Sequence, residues 1–370
     1  MNSAYTSLFK PFTFRSGLEV DNRIMVAPMT HYSSNGDGTI SEQELPYISA
    51  RSEGPGVVIT ACANVTANGK AFPGQPGIND DAHIPGLKQL AEAIHEKGSK
   101  AVIQIHHGGV ECPPELVPNG DVLSASDLPE RGARALTDEE VKEVITGFGE
   151  ATARAIEAGF DGVEIHGANG YLIQQFFSPH TNKRTDAWGG ETATDRLAFP
   201  LAIVDAVKKV VAEKAPKNFL VGYRFSPEEP ETPGLTMEDT FVLVDALAES
   251  QLDYLHVSLM EAHSKARRGA DETRSRLSLL HERVGKLIPL VGVGSVHTPE
   301  EAVSVLEEGM DFVALGRGLL IEPNWVNLVK NGEEAHIQTV IKVSEKEKYV
   351  LPDPLWNVIM NAGGWVPFEE

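Results

Sequence analysis

The residues with the widest chemical reach lie in "GFDGVEIHGANGYLIQQFFSPHTNKRTDAWGG", Gly159 to Gly190, where His166, Asn169 and Tyr171 follow an apolar run. Gly162 to Ile165 reads as a buried strand, bounded by glycine and rich in branched side chains. A His and an Asn three residues apart, just past such a strand, can each direct an N–H at one small oxyanion. A Tyr two residues further on supplies a weak acid. That set can polarise a carbonyl and deliver one proton. No nucleophile accompanies it.

A second group sits late in the chain. "VGVGS" provides Gly292, Gly294 and Ser295, and "LGRG" provides Gly316, Arg317 and Gly318. Glycines let backbone N–H groups approach an anion closely, and a guanidinium adds a bidentate partner, so the pair reads as a site for one terminal phosphate. The alternative is that these glycines only make tight turns. Thr30, Gln104 and Arg224 end or occupy other strand-like runs. A flavin ring needs an amide at its pyrimidine edge, a donor near O4 and N5, and a cation near N1 and O2, and Gln104, Thr30 and Arg224 match those needs in that order. Each also has a structural alternative: a core amide, a helix-entry residue, and half of a buried ion pair. His106 and His107 in "QIHHGG" lack carboxylate partners at metal spacing, so no metal is expected there and both read as supports for the loop that follows.

Positioning these groups requires strands that end together. Strand-like and helix-like runs alternate eight times, with strands at Arg23 to Met29, Gly56 to Ala63, Lys100 to His107, Gly162 to Ile165, Phe219 to Ser226, Tyr254 to Leu259, Pro289 to Ser295 and Phe312 to Gly318. Between them, Leu87, Leu90, Ala91 and Ile94 keep one-face helical spacing, as do Val141, Val144, Ile145, Phe148, Thr152 and Ile156. Thr137 with Glu140, and Thr298 with Pro299 and Glu301, read as capping boxes. Near-continuous apolar strands covered by helices imply a parallel sheet, and eight units close an α/β, (β/α)8 TIM barrel, whose chemistry sits at the carboxyl ends of the strands. The runner-up, an open doubly wound sheet, is weakened by the absence of any G-x-G-x-x-G.

Three segments fall outside the repeat. Residues 8–22 form a hairpin expected to plug the bottom of the barrel, and Gly108 to Leu136 is a Pro- and Gly-rich excursion expected to act as a lid. A tail from about Glu333 carries Trp356 and Trp365, expected to pack on the barrel or on a partner. With no low-complexity linker, residues 1–370 read as one domain, a barrel over about 22–332 with a C-terminal extension over 333–370.

Composition bounds the partners. A formal charge of −21, from 32 basic and 53 acidic residues, repels phosphate backbones, so nucleic acid is not an expected partner. Cys62 and Cys112, without a C-x-x-C, argue against disulfides, structural zinc and iron–sulfur clusters. No apolar run reaches membrane-spanning length and the first residues lack a signal core, so the expected location is the cytoplasm.

In "NRIMVAPMT" (Asn22 to Thr30), "HGANGYL", "SPHTNKRTDAWGG" and "LGRGLL" the chain resembles the old yellow enzymes, FMN-dependent NADH:flavin oxidoreductases and ene-reductases, over nearly everything to about residue 330. The resemblance implies FMN, with Ala27, Pro28, Met29, Thr30, Ala61 and Gln104 around the isoalloxazine, Arg224 at its pyrimidine end, and Gly294, Gly316 and Arg317 at the phosphate. It implies that His166 and Asn169 hold the substrate oxygen, that Tyr171 gives the proton, and that Tyr32 touches substrate. NAD(P)H and a small-molecule acceptor would be the partners, and a homo-oligomer is compatible with the sequence. Thr30 stands where one subclass has Cys, and Asn169 where another has a second His.

Two other classes stay open. A phosphate-sugar aldolase or isomerase on the same barrel would need a strand-end Lys or carboxylate base, and Glu164 is expected to point away from the site. A non-catalytic flavin-binding protein would keep Arg317 and Gln104 without needing Tyr171.

Overall fold

The computed structural model describes residues 2–369. The strand-like runs are apolar at both parities, so each strand must be covered on two sides. The chain meets that demand with eight parallel strands: β1 (Ile24–Val26), β2 (Val57–Ile59), β3 (Lys100–His106), β4 (Gly162–Gly167), β5 (Leu220–Phe225), β6 (Tyr254–Val257), β7 (Leu290–Val293) and β8 (Phe312–Leu315). They pair in chain order, and the ring closes where β8 meets β1, Val313 opposite Ile24. Crossover helices α1 (Glu44–Ala50), α2 (Ile84–His95), α3 (Asp138–Glu157), α4 (Ala198–Lys214), α5 (Met237–Glu249), α6 (Arg276–Val284), α7 (Pro299–Glu307) and α8 (Trp325–Asn331) follow the strands in turn. Both expected capping boxes form at α3 and α7, and Thr236 with Asp239 makes a third at α5.

Alternation along the strands separates two cores. Ala101, Ile103 and Ile105 on β3, with Val163 and Ile165 on β4, face the helices and join the large outer core. Val102, Leu220, Val291 and Phe312 have the other parity and fill the barrel. The expected plug is the hairpin pairing Phe12–Thr13 with Glu19–Val20, which carries Phe14 and Leu18 into this inner cluster. Phe14 stacks on Phe312 with ring centroids 5.1 Å apart.

Towards the carboxyl ends the inward positions turn polar: Gln104, Glu164, His166, Arg224 and His256 are all buried. The expectation that Glu164 points away is therefore overturned. Residues 164 and 166 share a parity, so the turn of the strand that brings His166 inward brings Glu164 inward too. β4 also runs two residues beyond the expected Ile165, which puts His166 within the strand rather than past it. β2 is shorter than expected, and the chain makes a second short pairing with β3 at Ala63–Asn64.

The excursion over residues 108–136 pairs Val122–Ser124 with Ala133–Ala135 and has a small apolar cluster of its own, including Val110, Cys112 and Val117. The tail packs on the barrel: Tyr349, Leu355, Trp356, Ile359 and Val366 join the outer core. Arg51, 1% exposed, ties it down by donating to the Tyr349 carbonyl at 3.0 Å. No helix among the described residues is long and apolar enough to cross a membrane.

Candidate active site

The carboxyl ends of the strands surround a cavity of about 760 Å³. Ala27, Pro28, Met29, Thr30 and Tyr32 reach it from the end of β1, Asn169 from the end of β4, and Arg224 from β5. Gly294, Gly316 and Arg317 reach it from β7 and β8. Ala61 and Gln104 lie buried below that surface, 6% and 1% exposed. None of the residues 108–136 lines the cavity itself, although Glu111 and Cys112 of the excursion lie close enough to Tyr171 to act on its hydroxyl.

At the β7–β8 end the backbone packs tightly against the chain that follows β6. Gly294 has φ 140°, and a Cβ there would lie 2.5 Å from the Ala262 nitrogen. The following Ser295 has φ 50°, and its hydroxyl accepts from Arg317 Nη2, while Nη1 donates to the Trp365 carbonyl at 3.3 Å. Gly292 is likewise required by packing: a Cβ would meet Val305 of α7 at 2.6 Å, so it makes room for a helix.

Beneath the cavity, Glu164 Oε1 accepts from Gln104 Nε2 at 2.7 Å, and Oε2 accepts from the Tyr254 hydroxyl at 3.1 Å. His256 Nδ1 lies 3.0 Å from Oε2. Burial works to raise the Glu164 carboxyl, but His256, Arg224 and Gln104 outweigh it and hold the group below the usual carboxylate range. Burial lowers His256, which meets Glu164 as a neutral Nδ1–H donor. An ionised carboxylate only accepts, so Gln104 must turn its NH2 downwards and is left with Oε1 as an acceptor. Arg224 pairs in register with His166 and His256, and its Nε is buried without a partner.

His166 and Tyr171 come together beside the cavity, ring centroids 5.1 Å apart and nearly perpendicular, with His106 4.4 Å from Tyr171. Burial and the Arg224 charge push His166 well below its ordinary value, so it is neutral. Its Nδ1 accepts from the Ala168 amide at 3.3 Å, which leaves the proton on Nε2 as a donor. Burial raises Tyr171, which keeps its proton. Asn169 stands apart at the exposed mouth, held at φ 59° with its Oδ1 accepting from Ser258 at 2.8 Å, so only its NH2 is left to donate. No hydrogen bond joins Asn169 to His166 or Tyr171. His107 does brace the loop that follows, its Nδ1 accepting from the Gly109 amide, whereas His106 accepts from Gln75 and packs under Tyr171.

Sequence reasoning missed Ser226, Glu228, Ser258, Arg267 and Arg276, which all line the cavity, and the Glu164–His256–Tyr254 cluster. Extending the strand-end rule past β5 and β6 points to Ser226, Glu228 and Ser258. Arg267 and Arg276 come from a long loop and its helix, and carry no comparable signal. No Lys lines the cavity among the described residues, so the Schiff-base route of an aldolase has no residue to use there.

A parallel barrel with these strand-end groups is the frame of a flavin oxidoreductase, and comparison with known proteins agrees. The chain belongs to the NADH:flavin oxidoreductase / NADH oxidase family, whose model matches residues 7–336. It is 64% identical over 373 residues to the probable NADH-dependent flavin oxidoreductase YqiG of Bacillus subtilis, with both chains covered in full. It is 40% identical to the NADH:fumarate oxidoreductase of Klebsiella pneumoniae, covering 94% of this chain and 38% of that one. The structure of morphinone reductase in complex with tetrahydroNAD superposes with a TM-score of 0.76 at 28% identity, covering 88% of this chain and 91% of that one.

The protein is thus an oxidoreductase with FMN as its cofactor. The residues present suit that group: Arg224 has an orphaned buried nitrogen and Gln104 an obligate acceptor. Arg317 beside Ser295 would supply charge for a single phosphate.

Proposed function

We propose that the enzyme takes hydride from NADH or NADPH and passes it to an activated C=C, a quinone or a related small acceptor in two separate half-reactions. FMN, when bound, supplies the two-electron store between them. Ala27, Pro28, Met29, Thr30 and Ala61 surround its ring, Gln104 accepts from its pyrimidine edge, Arg224 balances charge there, and Gly294, Gly316 and Arg317 hold its phosphate. His166 Nε2–H and the Asn169 amide donate to the acceptor's carbonyl oxygen, an interaction that strengthens as enolate charge develops. Tyr32 packs on the substrate, and Tyr171 gives a proton to the α-carbon. The observation that carries this reading is the neutral His166, with its donor proton fixed on Nε2, packed against a protonated Tyr171. Similarity to the probable NADH-dependent relative of Bacillus subtilis favours NADH. The cytoplasm is the proposed location, supported by two buried free cysteines, and one domain over 1–370 is supported by an apolar core that runs from Tyr5 to Val366.

Stopped-flow absorbance of the holoenzyme tests the assignment. NADH or NADPH should bleach the flavin, and a simple enone should restore its colour. Tyr171→Phe keeps the packing and removes the acid, so reduction should proceed nearly unchanged while enone reoxidation slows roughly 10²–10⁴-fold. Equal slowing of both halves, or none in reoxidation, removes Tyr171 from the reaction.

A further inference from the structure

Four arginines line the cavity, and FMN accounts for Arg224 and Arg317. Arg267 and Arg276 line the same cavity from the chain after β6. Arg276 is 6% exposed, and its one protein acceptor is Glu228, whose Oε2 lies 2.6 Å from Nε. Glu228 has little left to give: it also accepts the backbone N–H groups of Arg267 and Arg268 at 3.0 Å, and its side chain is 2% exposed. The two terminal nitrogens of Arg276 have no acceptor among the described residues, and neither has the side chain of Arg267. Those terminal nitrogens are not buried but open into the cavity, where an oxyanion could take two N–H donors from one planar fork. The Glu228 pair fixes its orientation in advance, which lowers the cost of binding. In a chain of formal charge −21, cations concentrated in one cavity mark a place for an anion.

We propose that Arg276 and Arg267 form a second anion site, distinct from the Arg317 phosphate end, that receives a carboxylate or phosphate of the molecule exchanging hydride with the flavin. The inference rests on the function proposed above. It gives that site a substrate class: ligands that carry an oxyanion away from the reacting carbon, either the pyrophosphate of the nicotinamide dinucleotide or a carboxylate of the acceptor. Ser226, Ser258 and Ser264 line the same cavity, with their hydroxyl protons given to Asn169 and to the Glu261 carbonyl.

Isothermal titration of the holoenzyme with paired probes tests this without turnover. One pair is the non-reducing tetrahydro form of NADH and its tetrahydronicotinamide fragment, which lacks the pyrophosphate. The other is cinnamate and cinnamamide. In Arg276→Gln and Arg267→Gln the charged member of one pair should bind at least about tenfold more weakly, ~1.4 kcal/mol, while its uncharged counterpart changes no more than about twofold. The pair that discriminates identifies the source of the oxyanion. Arg276→Lys, which keeps charge but not the planar fork, should recover part of the loss. If Arg276→Gln fails to hold FMN, Arg267→Gln decides, because its side chain is exposed and without a partner. Unchanged binding of both charged probes, or equal loss of charged and uncharged ones, overturns the proposal. A wild-type flavin that NADH does not bleach would overturn the function while these titrations still decide the anion site.

Discussion

At Glu164 the barrel buries a carboxylate completely and surrounds it with Gln104, Tyr254, His256 and the charge of Arg224. Glu164→Gln would leave the Arg224 guanidinium buried without its counter-charge and let the Gln104 amide flip, so a loss of about 3–5 kcal/mol in stability is expected, with weaker FMN binding. The same group sets a pH dependence. Its carboxyl is held below the ordinary range when folded, so its stabilisation is complete above the unfolded value of about 4.3 and disappears as pH falls through the lower folded value. Thermal unfolding against pH should show a shallower acid loss in Glu164→Gln than in the wild type. Parallel curves would mean that folding does not lower the Glu164 pKa. The residue could have been found by counting parity from His166, as the pattern of Val163 and Ile165 already fixes which positions face in. By contrast, "HGANGYL" displays its geometry openly, since Asn169 and Gly170 are residue types that tolerate the left-handed backbone seen there.

The eight strands and their helices were readable because each element satisfies one simple rule at a time: apolar strands need two covers, and Thr137 or Thr298 followed by Glu starts a helix. Strand ends were less readable. β4 continues to Gly167 because its last residues pair with β5 across the barrel, His166 opposite Arg224, a contact between residues far apart in sequence. In the excursion after β3, Pro and Gly content reports turns, not what they cover; Val110, Cys112 and Val117 give it a core of its own. The hairpin plug sits at the opposite end of the barrel from the cavity, so its role should separate cleanly from chemistry. Phe14→Ala should cost about 3–5 kcal/mol, because it empties the cluster against Phe312 and Tyr254. Denaturant unfolding would measure that loss, and the bound-flavin spectrum and its bleaching by NADH should be preserved. A large change in the flavin spectrum would show that the two ends of the barrel are coupled.

Across the whole molecule, the C-terminal extension was the part least open to sequence reasoning. Apart from Leu355, Trp356 and Ile359, which share one face of the helix Asp353–Asn361, what anchors it, Arg51 at one end and Arg317 at the other, lies far back in the chain. The result joins two sites by one segment. Tyr349 and Trp356 fasten it to the barrel wall, and Trp365 then reaches the cavity, where its carbonyl accepts from the arginine assigned to the phosphate. Val366 is buried, and Phe368–Glu369 pair with Ile341–Lys342, so the reach is held at both sides of Trp365. Deleting residues 362–370 should spare the barrel, since Tyr349, Leu355, Trp356 and Ile359 remain in the core. Arg317 would lose one of its two acceptors and the cavity part of its wall. A hydrogen bond to a charged group contributes about 1.5–3 kcal/mol, so the dissociation constant for FMN should rise roughly tenfold or more. Fluorescence of released flavin on dilution reads that constant directly. If the shortened chain keeps wild-type FMN affinity, the extension only covers the outer core, and Arg317 needs no help from Trp365 to hold its place.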